Sequence, residues 1–167
     1  PGGILVYKSS LHSYRDLPLK VAELGLVHRH ELSGVLQGLF RVRCFTQDDA
    51  HIYMAPEQVT DEIKKVIDLT DKIYKKFGFS YHVELSTKPE NSMGSDQIWQ
   101  KATKSLKEAL KEKKIDFVIN KGQGAFYGPK IDFHLNDCLG RTWQCGTIQL
   151  DFIMPEFRKI FELIFLR

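Results

Sequence analysis

The stretch RVRCFTQDDAHIY, residues 41–53, sets two arginines, two aspartates, a glutamine and a histidine into a segment whose alternating apolar residues otherwise describe a buried strand. Successive side chains of a strand point to opposite faces, so odd and even positions separate. The even set holds Phe40, Val42, Cys44, Thr46, Ala50 and Ile52, interrupted by Asp48, and is the face expected to pack on helices. The odd set holds Arg41, Arg43, Phe45, Gln47, Asp49 and His51. Val27, Arg29 and Glu31 upstream share one parity and can pair across a hairpin with this odd face. An antiparallel sheet often leaves one side to water, so a solvated face laced with ion pairs is one reading. The residue types favour another. The cations are arginines, whose planar fork suits phosphate and carboxylate oxygens; Phe45 among them offers a surface for a flat base; and Gln47, Asp49 and His51, two residues apart, read as the lining of one small polar ligand. The pattern is that of a nucleotide site running into a pocket of amino-acid size.

Metal chemistry is harder to read from these residues. Zinc takes three or four ligands, and a lone histidine on a sheet is more often a hydrogen-bonded structural group. His28 and His30 fall on the face opposite Arg29. Cys44, Cys138 and Cys145 form no C-x-x-C motif, are expected to be buried, and suggest no Cys–His pair.

The elements that must position these groups follow from periodicity. The run ILVYKSSLHSY, residues 4–14, suits a short helix, with Ile4, Tyr7 and Leu11 on one side. Residues 26–31 and 40–53 alternate as two antiparallel strands around a glycine-bearing loop. From Pro56 to Phe77 apolar residues recur at helical spacing, with Gly78 as a stop. Residues 79–86 alternate as a strand, and Ser95 can cap a second helix ending near Lys114, with Ile98, Ala102, Leu106 and Leu110 inward. The segments IDFVIN, KIDFHLND and RTWQCGTIQLDF read as further strands. No regular βαβ alternation emerges, so the expected fold class is α+β, a largely antiparallel sheet flanked by helices. The 167 residues suffice for one core, the formal charge of +3 is too small to mark a dedicated nucleic-acid module, and no apolar run reaches the roughly 20 residues of a membrane span. Sparse cysteines suit a reducing, cytoplasmic setting.

Longer blocks carry a resemblance. HRHELSG with GLFRVRCFTQDDAHIY, then VELSTKPENSMGSD, GAFYGPKIDFH and GRTWQCGTIQLDF, resemble in order the catalytic core of threonyl-tRNA synthetases, which are class II aminoacyl-tRNA synthetases. The likeness runs over residues 1–155 as a partial catalytic domain; residues 156–167, EFRKIFELIFLR, depart from it and suggest a helical tail with an apolar stripe at Phe157, Ile160, Phe161, Ile164 and Phe165. An exposed stripe of that kind would favour self-association.

The resemblance implies threonine activation with ATP and Mg2+, followed by transfer to tRNA(Thr). It puts Arg29 on the α-phosphate, Arg41 on the γ-phosphate, Glu31 on the adenine amino edge and Phe45 on the ring. Gln47, Asp49 and Tyr127 would surround threonine, while Lys130, Gln144 and Gln149 match positions near the ligand and the tRNA end. His51 would be one of three zinc ligands, the metal selecting a hydroxyl-bearing substrate where shape alone cannot reject valine; serine, lacking one methyl, would call for editing elsewhere. The other two ligands, a cysteine just before Pro1 and a histidine beyond the matching region, fall outside the sequence, and Gly3 stands where the family usually has histidine, so little or no zinc is expected on this chain. The family enzymes are homodimers, and their motif 1 and motif 3 arginine are not in the sequence. The rival readings are a noncatalytic synthetase-like module that binds an adenylate-like ligand or regulatory partner, and a class II synthetase for serine or proline.

Overall fold

The computed structural model describes the backbone of residues 2–157 and 162–166, and side chains through residue 155. In chain order the elements are α1 (Gly2–Lys8), β1 (Leu19–His28), β2 (Cys44–Met54), α2 (Val59–Lys76), β3 (Tyr81–Ser86), α3 (Asp96–Glu112), β4 (Phe117–Asn120), β5 (Lys130–Asn136), β6 (Thr142–Asp151), α4 (Ile153–Phe157) and β7 (Glu162–Leu166). The strands form one sheet in the order β1-β2-β7-β6-β5-β3-β4. All neighbours are antiparallel except β3 and β4. That parallel pair needs a crossover, and α3 supplies it.

Both long helices form where the apolar spacing and end charges agree. In α2, Val59, Ile63, Val66, Ile67 and Thr70 are buried on one side, Asp61 and Glu62 sit in the first turn, and Lys75 and Lys76 in the last. A 3-10 turn at Pro56–Gln58 leads in, and Gly78 follows the end with φ +70°. Ser95 caps α3, its side chain accepting from the Ile98 amide. Trp99, Ala102, Leu106, Ala109 and Leu110 are buried beneath it, whereas Ile98, expected inward, is only half-buried. The two helices cover one sheet face through a core that joins Ile63, Ile67, Leu106 and Leu110 to Ile52, Leu85, Ile131, Phe133, Ile148 and Leu150. Each such large side chain contributes about 1.5–3 kcal/mol by leaving water.

Three expectations are corrected. The strands of the first hairpin lie closer to its outer ends than their alternation suggests: the first begins at Leu19 and the second only at Cys44. Residues between them form a 3-10 turn at Ser33–Val35 and a tight turn closed by the Gln37–Arg41 bridge, with Gly38 at φ +49°. Arg29, Glu31, Arg41 and Arg43 therefore sit on a loop whose last rung is the Arg29 amide donating to the Arg43 carbonyl at 2.8 Å. Second, only the far end of the even face of β2 is core: Ile52 and Met54 are buried, while Cys44, Thr46 and Asp48 are exposed. Among the described residues no helix covers that end, where β1 and β2 form one border of the sheet. Third, residues 162–166 are not helical. They form β7, paired with both β2 and β6, where backbone hydrogen-bonding groups on either side outweigh a helical apolar spacing. Phe157 lies in α4, Ile164 and Phe165 lie in β7, and Ile160 and Phe161 lie outside the described residues.

Candidate active site

The face of the sheet opposite α2 and α3 carries the polar residues, and the strand register brings them together. Paired residues on adjacent strands share a face. His51 pairs with a β7 residue that also pairs with Gln149, Gln149 pairs with Lys130, and Lys130 pairs with Ser86. One row thus runs from β2 to β3. Phe45, Gln47 and Asp49 continue along β2 on the same side, each half-buried. The predicted stripe and the predicted Lys130 and Gln149 therefore border one surface.

At the β1–β2 end, the loop holds its charges against each other. The Arg29 guanidinium lies over the Phe45 ring at 5.0 Å from the centroid. Arg41 donates through Nη2 to Glu31 Oε2 at 3.1 Å, with 56% of the arginine side chain and 16% of the glutamate exposed. Arg43 Nε donates to the Glu31 carbonyl at 3.1 Å. The loop tip reaches across the face, where Phe40 stacks on Trp143 of β6 at 4.2 Å between centroids and Arg141 lies over both rings. Arg29, Glu31, Arg41 and Phe45 are thus neighbours in one arm, with Phe45 already covered by an arginine rather than open.

At the other end of β2, α1 folds over the face. Ile4, Tyr7, Leu17 and Tyr53 form a small second core, with Tyr127 packed at its edge. Tyr53 donates its hydroxyl to the Gly3 carbonyl, and burial, with Tyr7 nearby, pushes its pKa up to about 12. A β-carbon added at Gly3 would fall 2.7 Å from His51 Cδ2, so the imidazole fills the space a side chain would take. Tyr127 donates to Gln149 Oε1. Its position is set by Gly128, where an added β-carbon would lie 2.0 Å from the Leu150 carbonyl oxygen. The turn carrying Tyr127 presses directly on the β6 backbone.

Between these ends stands a group that the sequence reading did not single out. Asp132 is 2% exposed and takes Lys130 Nζ at 3.0 Å, Gln144 Nε2 at 2.6 Å, Thr147 Oγ1 at 3.3 Å and Ser86 Oγ at 2.7 Å. A buried carboxylate survives only with such partners. It fixes two of the predicted residues, Lys130 and Gln144. The same odd–even reading applied to KIDFHL would have set Asp132 beside Lys130 on the polar face. Asp151, the last residue of β6 just ahead of α4, was also missed. It is buried, accepts from the Ile153 and Met154 amides at 3.0 and 2.9 Å, and has its pKa raised to about 6 by burial despite those bonds.

Two expectations about sulfur chemistry are reversed. All three cysteines are exposed. His28 and Cys44 are cross-strand partners, with Nε2 and Sγ 3.5 Å apart. As for zinc, among the described residues no histidine, cysteine or carboxylate joins His51 in a three-ligand cluster. The described residues do not compose a zinc centre at His51. A groove of about 430 Å³ beside α3, lined by Thr87, Lys88, Trp99, Lys104 and Lys107, contains none of the predicted site residues.

This polar face has relatives. The tRNA synthetase class II core domain (G, H, P, S and T) matches residues 1–160. Threonine--tRNA ligases of Carboxydothermus hydrogenoformans and Acetivibrio thermocellus are 75% and 74% identical over 156 residues, which is 93% of this chain and 25% of each relative. The chain thus spans about a quarter of the length of these curated relatives. Among solved structures, the RNA binding domain of threonyl-tRNA synthetase from Cryptosporidium parvum Iowa II superposes with a TM-score of 0.93 at 43% identity, covering 99% of this chain and 45% of that one. A threonyl-tRNA synthetase from Aeropyrum pernix gives a TM-score of 0.84 at 36% identity, covering 99% and 42%. Histidyl-tRNA synthetase of Staphylococcus aureus, at 13% identity and a TM-score of 0.60 over 89% of this chain and 40% of that one, shares the fold. With its threonyl-type sequence blocks and an antiparallel sheet flanked by helices, the chain belongs to the class II tRNA synthetase core-domain family.

Proposed function

We propose that this chain forms the central part of a threonyl-tRNA synthetase active site, in which threonine and ATP give threonyl-adenylate and the acyl group then passes to tRNA(Thr). The observation that carries the reading is the single sheet face bearing Phe45, Gln47, Asp49 and His51 on β2 together with Gln149 and Lys130 across the register. In the first step a threonine carboxylate oxygen attacks the α-phosphorus of ATP and pyrophosphate leaves. Negative charge grows on the phosphoryl oxygens, and Arg29 supplies a preorganised cation for it. Arg41, held by Glu31, turns to the γ-phosphate when ATP arrives, freeing Glu31 for the adenine amino group, and Phe45 exchanges the Arg29 guanidinium for the flat base. Mg2+ travels with ATP and neutralises its phosphates. In the second step a terminal ribose hydroxyl of tRNA attacks the carbonyl carbon and AMP leaves.

Gln47, Asp49 and Tyr127 form the amino-acid end, Asp49 accepting from the threonine hydroxyl. Lys130, Gln144 and Gln149 border the ligand and the tRNA terminus. Asp132 is a positioning residue, holding Lys130 and Gln144. His51 contributes to metal binding where other ligands are supplied, and a cytoplasmic setting suits the reading. Residues 1–155 act as the catalytic part in this scheme. Self-association, as in the homodimeric family enzymes, would draw on the exposed Leu24 and Leu26 of the border strand β1.

Binding of a nonhydrolysable threonyl-adenylate analogue, followed by calorimetry, tests the site directly. We expect saturable binding that Asp49→Ala weakens by at least about tenfold, as loss of a hydrogen bond to a charged group costs roughly 1.5–3 kcal/mol. Absence of binding, or equal binding of the valyl and threonyl analogues, would sink it. Threonine-dependent ATP–pyrophosphate exchange then separates an active core from a noncatalytic module, which would bind without exchange. Exchange driven by serine or proline alone would assign a sister enzyme.

A further inference from the structure

We propose that His82, Glu84 and His134 form a divalent-metal site, of the kind taken by Zn2+ or Co2+, that clips β3 to β5 beyond the Asp132 network. His82 and His134 are directly opposed across the antiparallel β3–β5 pair, and Glu84 lies two residues from His82, on the same face. The imidazole rings stack at 4.9 Å between centroids and 12° between planes, so both edges turn the same way. They turn toward one carboxylate. His82 Nε2 is 3.5 Å from Glu84 Oε1 and His134 Nε2 is 3.6 Å from Glu84 Oε2. All three donor atoms lie within 4.8 Å of one another.

The two histidine–carboxylate separations, one to each oxygen, are close to what a metal demands, and the imidazole pair closes on it by rotation of the more exposed His82. Bonds of about 2.0–2.1 Å in tetrahedral geometry hold ligand atoms about 3.3–3.4 Å apart. The histidine–carboxylate gaps exceed that by only a few tenths of an ångström. His82, 46% exposed, can turn by a small rotation, while His134 and Glu84, 19% and 23% exposed, are already confined. Glu84 also has an outer partner, since Asn120 Nδ2 on β4 donates to Oε2 at 2.7 Å and fixes the plane of the carboxylate. Outer hydrogen bonds of this kind orient metal ligands in built sites. Two imidazoles and one carboxylate leave the remaining coordination to solvent on the exposed side. The site is separate from His51, which lies on β2 across β7, β6 and β5 in the sheet.

The test titrates the tag-free chain with Co2+, reading visible d–d absorption, and with Zn2+ in competition. We expect one saturable ion per chain and a rise in Tm with metal concentration. His82→Gln and His134→Gln should each weaken binding by more than tenfold, and Asn120→Ala by about tenfold, since outer-shell partners typically contribute 10–100-fold. His51→Gln and Cys44→Ala should leave affinity unchanged. Circular dichroism of the metal-free variants establishes that they fold, and the two histidine variants report independently of each other. No saturable binding, binding that survives both histidine changes, or binding that is lost with His51 or Cys44 instead would overturn the assignment.

Discussion

The two ends of the polar face hold their charges in opposite ways. On the β1–β2 loop, Glu31 and Arg41 pair near the surface and Arg29 rests on Phe45, contacts that water and a ligand can both replace. On β5 and β6, Asp132 is closed off from solvent by four donors from three strands. An exposed ion pair is worth about 0–1 kcal/mol, whereas a buried carboxylate stripped of its partners costs several. One end can therefore be rearranged by an arriving ligand at little cost, and the other must be complete before any ligand arrives. The difference divides the face into an arm that an arriving ligand can rearrange and a floor that keeps its shape.

The sharpest way to break this contrast is Asp132→Ala, which leaves Lys130 facing a hole where its counter-charge stood. A loss of about 3–5 kcal/mol is expected in urea unfolding, and a loss under 1 kcal/mol would show that the floor is no more fixed than the arm. Next comes Asp151, whose folded pKa of about 6 exceeds its ordinary value of 3.8 because of burial. A raised folded pKa means that the associated stability is full below about pH 4 and disappears as pH climbs through about 6. Unfolding free energy should fall by roughly 3 kcal/mol across that window. Asp151→Asn, which keeps an acceptor for the Ile153 and Met154 amides, should flatten the decline. An unchanged slope would assign the pH dependence to other groups. The smallest effect belongs to the arm: Glu31→Gln should alter stability by less than about 1 kcal/mol. A larger change would mean that the loop is locked rather than adaptable.

How much of this was legible beforehand depended on period. Alternation in residues 41–53 identified the polar face of β2, and helical spacing identified α2 and α3 to within a few residues, because both helices bury one side against a large core. Alternation failed where strands lose neighbours. It extended the first hairpin into residues 29–31 and 40–43, where turn geometry prevails, and it assigned the helix-facing role to Cys44, Thr46 and Asp48, which face water. Asp132 escaped notice because the odd–even reading was applied to one strand and not to its distant partners. The β7 segment misled for a related reason: five residues are too few for strand and helix periods to differ, and only pairing with β2 and β6 decides.

The contact at Gly128 carries a last consequence. Because a single methyl there would collide with a main-chain oxygen of β6, the turn bearing Tyr127 is seated against that strand with no room between them. Any change in what this turn presents to the polar face must then come from exchange of the Tyr127 side chain itself, since the turn behind it is seated on the strand.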